Sequence, residues 1–331
     1  MAQLSVVVPC FNEQESLDEL HDRVSAVCHE AVGADHEVVL VNDGSRDQTW
    51  LRMLLLAERD PNVVLVNLSR NHGHQRALSA GLSLCRGERV LILDADLQDP
   101  PELLESMMAR MDAGADVVYG QRVARAGETA FKRVTAALFY RLFRRLVDIE
   151  IPLDAGDFRL LNRRTLDLLN RMPEQHRFIR GMVAWVGLRQ EALPYHRAAR
   201  AAGETKYPLS KMLGFALDAV TGFSVKPLRL ASWLGLAAGA GGLVVILYAF
   251  GSWMAGRAVE GWTSLMVVTL VLGSCQLLVA GLMGEYLGRL YMEAKGRPLF
   301  VIERVVRGSE VPKHAPKHAP APRDVEASQV A

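Results

Sequence analysis

Two stretches without a charged side chain, residues 230–254 and 261–284, constrain this chain more than any other feature. Each reaches the ~20 residues that an α-helix needs to cross the hydrocarbon of a bilayer. The alternative is a pair of buried core helices. The two runs are joined only by the short loop AGRAVE, however, and little soluble protein is left over to bury them both. The expectation is a transmembrane hairpin of two helices within residues 228–288. Lys211, Lys226 and Arg229 precede it, Arg289, Lys295 and Arg297 follow it, and the loop holds only Arg257. Basic residues collect on the cytoplasmic side of membranes. This bias places both termini and the N-terminal domain in the cytosol, in a multi-pass protein of the cytoplasmic membrane.

Ahead of the hairpin, β-branched runs alternate with segments of helical period: LSVVVP, EVVLVND, NVVLVNL, RVLILDAD and DVVYG. That alternation predicts βαβ units, hence an α/β domain over residues 1–207 whose Rossmann-like, mostly parallel sheet carries helices on both faces. The opening MAQLSVVVP has neither the basic start nor the cleavage site of a signal peptide, so the chain is expected to begin as a cytosolic domain. With 38 basic against 37 acidic residues the net charge is +1, which argues against nucleic acid as a partner. Cys10, Cys28, Cys85 and Cys275 have no paired spacing, and suggest neither a zinc site nor disulfides.

Between residues 131 and 147, Phe131, Val134, Leu138, Leu142 and Leu146 recur at helical spacing beside Lys132, Arg133, Arg141, Arg144 and Arg145. This pattern predicts an amphipathic helix lying on anionic membrane lipid. Residues 208–227 read as a juxtamembrane segment, 289–307 as a cytosolic C-terminal segment, and 308–331, with its KHAP repeat, as a disordered tail. Gly235, Gly239 and Gly242 give the first span a small-residue face suited to close helix pairing, and so to a homo-oligomer.

The chemistry centres on LILDADLQDPPE. In a strand, residues two apart point the same way, so Asp94 and Asp96 are expected to project together from a strand end. Two carboxylates on one face suit a hard divalent cation, Mg2+ or Mn2+, whose remaining sites a nucleotide diphosphate would fill. Gln98 can add a neutral oxygen. Asp99, just before Pro100, reads as a helix cap. In VVPCFNEQESL the strand is expected to end at Pro9 and a helix to begin over residues 12–15. Asp43 ends the next strand, and these neighbouring ends form a crevice suited to a base and ribose. Asp43 and Glu13 can accept hydrogen bonds there, or Asp43 can merely open an Asx-turn with Gly44. His72 and His74 read as loop contacts near the nucleotide.

VVVPCFNEQESL, VNDGSRDQTW, NHGHQRALSAGL and LDADLQDPPELL together resemble family 2 glycosyltransferases of the GT-A fold. Within it, the chain is similar to polyprenyl-phosphate glycosyltransferases, including dolichyl-phosphate mannose synthase. The ending GEYLGRLYMEAKGRPLFV is more like bactoprenol glucosyltransferases and aminoarabinose transferases. The resemblance implies that Asp94 and Asp96 form the metal-binding motif, with Asp96 and Gln98 as direct contacts. It implies that Pro9, Glu13, Asp43 and Asn71 line the nucleotide pocket. It also implies that Asp157 lies near the reacting centre and that Arg122, Arg200 and Lys206 face phosphates. Glu204 and Thr205 depart from the family, which often has a small residue and Ser before Lys-Tyr.

The activity so implied is inverting transfer of one sugar from a nucleotide-sugar to a polyprenyl phosphate for cell-envelope glycan modification. RFIRGMVAWVG resembles the glucosyltransferases and favours UDP-glucose over a UDP-aminoarabinose derivative or GDP-mannose. A catalytically silent membrane scaffold is the alternative from another class. Because a phosphomonoester with its second pKa near ~6 is already an anion at neutral pH, the acceptor does not strictly need a base. Asp157 is then either a base or a group that orients Arg159 or the sugar hydroxyls.

Overall fold

Four β-branched runs build the centre of the sheet: β1 (Leu4–Cys10), β2 (His36–Asn42), β3 (Val63–Leu68) and β4 (Arg89–Ile92). They pair in parallel in the order β4-β1-β2-β3, with Val7 beside Val39 on one side and Ile92 on the other. Both faces are covered, which is why the strands are continuously apolar and do not alternate. Val6 and Val8 share one core with α1 (Leu17–Val32), α2 (Thr49–Arg59) and α4 (Leu104–Asp112). Val7 shares the other with α3 (His74–Leu84), α5 (Arg163–Arg171) and α6 (Ile179–Val186).

This computed structural model describes residues 2–123, 152, 155–196, 224–256 and 261–310. The expected interfacial helix at 131–147, Arg200, Lys206, the juxtamembrane segment up to residue 223 and the tail from 311 lie outside the described residues.

Beyond β4 the sheet becomes mixed. β6 (Ala155–Asn162) runs antiparallel to β4 and to β5 (Val117–Arg122), and β7 (Gln190–Tyr195) runs parallel to β5. The result is the GT-A-like mixed α/β sheet, with helices on both faces, that the resemblance implies.

Three local expectations are corrected. β4 stops at Ile92, so Asp94 and Asp96 lie in the turn beyond it and strand alternation does not govern where they point. The first helix begins at Leu17 and not over residues 12–15, because Asn12 adopts a left-handed φ of 56° and the loop runs on to Ser16. Asp99 caps no helix. The short 3-10 turn Pro101–Leu103 has Pro100 at its N-cap, and Asp99 accepts a short hydrogen bond from the Tyr195 hydroxyl.

The C-terminal part departs further. Helices α7 (Lys226–Met254) and α8 (Trp262–Ala294) have 29 and 33 residues, and α8 continues past the expected end at 288. At 1.5 Å per residue they are roughly 43 and 50 Å long, more than the ~30 Å of hydrocarbon in a bilayer. Their apolar side chains face outward, with Leu236 65% and Leu277 76% exposed. Two packed helices with this surface associate with a membrane. After them the chain returns to the sheet. β8 (Ile302–Arg307) pairs antiparallel with β3 as the eighth strand, at an edge, and the turn Gly308–Glu310 follows in what was expected to be disordered tail.

Candidate active site

In this sheet the chain reverses its strand order between β1 and β4, and ligands of open α/β sheets bind outside the strand ends at such a point. The loop after β1 and the loop after β2 form one wall. Asn12 Oδ1 accepts from Arg46 N at 2.9 Å while Asn12 N donates to Ser45 Oγ at 3.0 Å. Gln48 N donates to Gln14 Oε1 at 3.0 Å, and Glu13 N donates to Thr49 Oγ1 at 2.9 Å. Glu13 is thereby fixed on this wall. Pro9, by contrast, is buried within β1 opposite Val41.

Asp43, 2% exposed, spends both carboxylate oxygens on the backbone of the next loop. Its Oδ1 accepts from His72 N at 2.7 Å and its Oδ2 from Gly73 N at 2.9 Å. Burial pushes its carboxyl upward, and those two amides work against the shift. Gly44 is needed beside it: φ is +66°, and a Cβ there would lie 2.5 Å from Arg70 C and Asn71 N. The loop that carries exposed Asn71 is thus seated directly on the β2 loop.

At the start of α3, His74 Nε2 stands 3.3 Å from Asp157 Oδ2 and 3.5 Å from Asp94 Oδ1. Asp157, projecting from β6, is only 4% exposed. Its Oδ2 also accepts from Gln75 Nε2 at 2.8 Å, and its Oδ1 accepts from Arg180 Nε at 2.9 Å. Arg180 is held a second time through Nη1 to the Ala155 carbonyl at 3.0 Å. Gln75 Oε1 in turn accepts from Ile179 N at 2.9 Å, locking α3 to α6. Burial alone would raise the Asp157 carboxyl. The His74 hydrogen bond and the charges of Arg180 and Arg159 override it and hold the carboxyl far below the usual range.

Asp94 has the opposite environment: burial pushes its carboxyl up to about 6, with Asp157, Asp99 and Asp96 adding to the shift against His74. Its Oδ1 is buried and accepts no hydrogen bond. Asp96 Oδ1 accepts from Gln98 N at 3.2 Å across a turn closed by Leu97 at φ 57°, and Gln98 itself is buried. Among the described residues no three His, Cys, Asp or Glu side chains converge on a metal position. Magnesium needs fewer, because one or two carboxylates suffice when phosphates and waters complete the octahedron. The unsatisfied Asp94 oxygen and the hard-oxygen character of this turn fit such an ion.

Arg122, at the end of β5, donates from Nε to the Tyr195 hydroxyl at 3.3 Å, and its Nη2 lies 4.0 Å from Asp99 Oδ1. Gly156, next to Asp157, leaves room for that guanidinium, since a Cβ there would meet Arg122 Nη2 at 2.6 Å. Asp116 instead ties Asn162 and Arg189 N together at the far ends of these strands.

The structure therefore gathers Asp94, Asp157 and His74, and puts Arg122 on the strand beside Asp157. It turns Asp43 toward backbone, and it pairs Asp157 with Arg180 where the sequence pointed to Arg159. Arg159 is 3% exposed and donates to the Gly156 carbonyl at 2.8 Å. Gln75, Arg180 and Tyr195 were missed. NHGHQ and RFIRG were visible as strings, but nothing in either says that the two meet on one face of the sheet at one carboxylate.

Residues 5–169 match the family model described as Glycosyl transferase family 2. A Bacillus subtilis (strain 168) protein named uncharacterized glycosyltransferase YkcC is 44% identical over 91% of this chain and 94% of its own length. The bactoprenol glucosyl transferase of Shigella phage SfII is 37% identical over 93% of this chain and 99% of its own. Among solved structures, S. aureus TarS 1-349 in complex with UDP-GlcNAc aligns with a TM-score of 0.46 and 19% identity over 67% of this chain and 66% of that one.

Proposed function

Because this chain belongs to glycosyl transferase family 2, we propose that it transfers a single glucose from UDP-glucose to undecaprenyl or another polyprenyl phosphate, with inversion, at the cytoplasmic face of a membrane. The product, a polyprenyl-phosphate sugar, would serve cell-envelope glycan modification. One observation carries this reading. A partly buried acidic cluster at the sheet's switch point shares its chain with two outward-apolar helices that return to the sheet through β8. The relative named bactoprenol glucosyl transferase, alike over nearly its whole length, supports glucose and the lipid acceptor.

In this proposal Asp94, Asp96 and Gln98 hold Mg2+ or Mn2+, which when bound supplies positive charge against the departing diphosphate. Glu13 and Asn71 line the base and ribose, while Asp43 shapes that pocket by holding the His72–Gly73 backbone. Pro9 contributes from within β1. Arg122 faces phosphate, as Arg200 and Lys206 would from outside the described residues. A leaving nucleoside diphosphate carries its charge away as the bond breaks, so preplaced cations lower the barrier more than a proton acceptor would.

Membrane attachment follows from the acceptor. Each buried methylene of a polyprenyl tail is worth ~0.8 kcal/mol, so the phosphate stays at the interface and the site must come to it. The basic flanks of the hairpin support a topology with both termini in the cytosol. Gly235, Gly239 and Gly242 have open space where a Cβ would stand, which supports helix pairing between copies of the chain.

The deciding experiment incubates purified protein with undecaprenyl phosphate, Mg2+ or Mn2+, and a panel of labelled UDP- and GDP-sugars, and follows label into lipid extract. Glucose label in the lipid fraction is expected. Asp96→Ala should lose the metal-dependent signal while melting like the wild type. Label from no donor would favour the silent scaffold.

A further inference from the structure

Arg180 plays no part in the roles assigned above, yet its Nε is ion-paired with Asp157 of the acidic cluster at 2.9 Å. Its guanidinium is fixed at two points, Nε on Asp157 Oδ1 and Nη1 on the Ala155 carbonyl. A fixed fork loses little freedom on binding a further oxyanion, which is the advantage of arginine over lysine at phosphate sites. Of its five N–H groups two are used in these bonds, and the side chain remains 31% exposed beside a carboxylate that is 4% exposed. It is paired with the carboxylate that His74 links to Asp94, the first residue of the acidic motif.

Asp157 has the complementary peculiarity. Both of its oxygens are engaged, by Arg180 on one side and by Gln75 and His74 on the other. Protonation would weaken these charge-assisted bonds and leave a neutral carboxyl between cations that now stabilise its charge. A carboxylate so enclosed is built to remain an anion and to aim its partner.

We propose that Arg180 is a catalytic residue that binds a phosphate oxygen of a substrate, and that Asp157 is the positioning residue that aims its guanidinium and takes no proton. This rests on the reading of the site as one for phosphate-bearing substrates. The phosphate belongs either to the donor diphosphate or to the lipid acceptor, and the two sources are separable.

The test measures equilibrium binding of UDP with Mg2+, and separately of a short-chain isoprenyl phosphate, to the full-length protein in detergent. Wild type is compared with Arg180→Ala, Arg180→Lys and Asp157→Asn. Arg180→Ala is expected to weaken one of the two probes by at least ~10-fold, the loss typical of one charge-assisted contact, with partial recovery in added guanidinium. A loss confined to UDP assigns the contact to the donor, and a loss confined to the isoprenyl phosphate assigns it to the acceptor. Asp157→Asn should weaken the same probe, and adding it to Arg180→Ala should cost nothing further, because both act on one contact. Arg180→Lys keeps the charge without the fork and serves as the variant most certain to fold. It should bind between wild type and Arg180→Ala, with an unchanged melting temperature.

Wild-type affinity of Arg180→Ala for both probes would overturn the proposal. So would Asp157→Asn that binds both normally while the rate of sugar transfer collapses and loses its acid limb, because that is the signature of a base. Since binding is read apart from turnover, a wild type that binds the probes but transfers no sugar would overturn the proposed reaction and leave the Arg180 assignment standing.

Discussion

Replacing Asp43 by Asn changes one atom and separates two roles for this residue, nucleotide contact and loop anchor. The carboxylate receives two backbone N–H groups, from His72 at 2.7 Å and Gly73 at 2.9 Å, at a site 2% exposed. An amide can accept only one of them and turns its own NH2 toward the other. One charge-assisted bond is lost, worth about 1.5–3 kcal/mol, and one buried donor is left unmatched at about 1–3 kcal/mol. Removing a buried charge returns part of this, since burial already pushes the Asp43 carboxyl upward. A net loss of about 3 kcal/mol is expected, which for a domain of this size lowers the melting temperature by roughly 6–12 °C. The assay is thermal unfolding of the full chain in detergent, followed by UDP titration below the transition. Loosening of the 71–73 loop should weaken UDP as a secondary effect. An unchanged melting temperature with strongly weakened UDP would refute the reasoning, because the carboxylate would then be working on the nucleotide directly.

Two further perturbations probe the scaffold around the site. Gly44→Ala must move the Arg70–Asn71 backbone, whereas Gly33→Ala, at nearly the same positive φ of +65°, meets nothing within 4 Å. A side chain is strained at either positive φ, but only the first variant displaces backbone at the site, so only it should also impair UDP binding, and equal binding by the two variants would dismiss the close approach as functional. His21 and Asp60 form a 2.9 Å ion pair between α1 and the end of α2. Burial opposes charge on His21, but the hydrogen bond it makes to Asp60 and the nearby Asp22 carboxylate raise its pKa, while the His21 hydrogen bond lowers that of Asp60 despite burial. The raised histidine contributes fully below about pH 6.5 and loses its contribution as pH climbs through its folded value. The lowered aspartate contributes fully above about pH 4 and loses it as pH falls through its own folded value. The melting-temperature gap between wild type and His21→Ala should therefore be widest between about pH 4 and 6.5 and shrink above that. A gap that stays constant from pH 6 to 9 would show that the pair does not act as a charged unit.

The central strands, the two apolar helices and the acidic motif were legible in the sequence because each is written in consecutive residues: a β-branched run, an uncharged run, a short acidic string. The strand boundary at Ile92 was not, since a turn with Leu97 at positive φ is set by what Asp96 and Gln98 bond to and not by propensity. The eighth strand was hidden for a related reason. IERVVR looks like a polar segment after a membrane span, and only the open edge of β3 makes it a strand.

By itself, then, the sequence settled the α/β class, the pair of membrane-length helices and the family, because periodicity and motifs are local and survive without coordinates. What only the tertiary structure decided is which charges meet: Asp43 with the His72–Gly73 backbone, Asp99 with Tyr195, and Asp157 with His74, Gln75 and Arg180. Those pairs join residues from 23 to 96 positions apart. Electrostatic and hydrogen-bond energies depend on separation in space, which the sheet's strand order sets and the spacing along the chain does not.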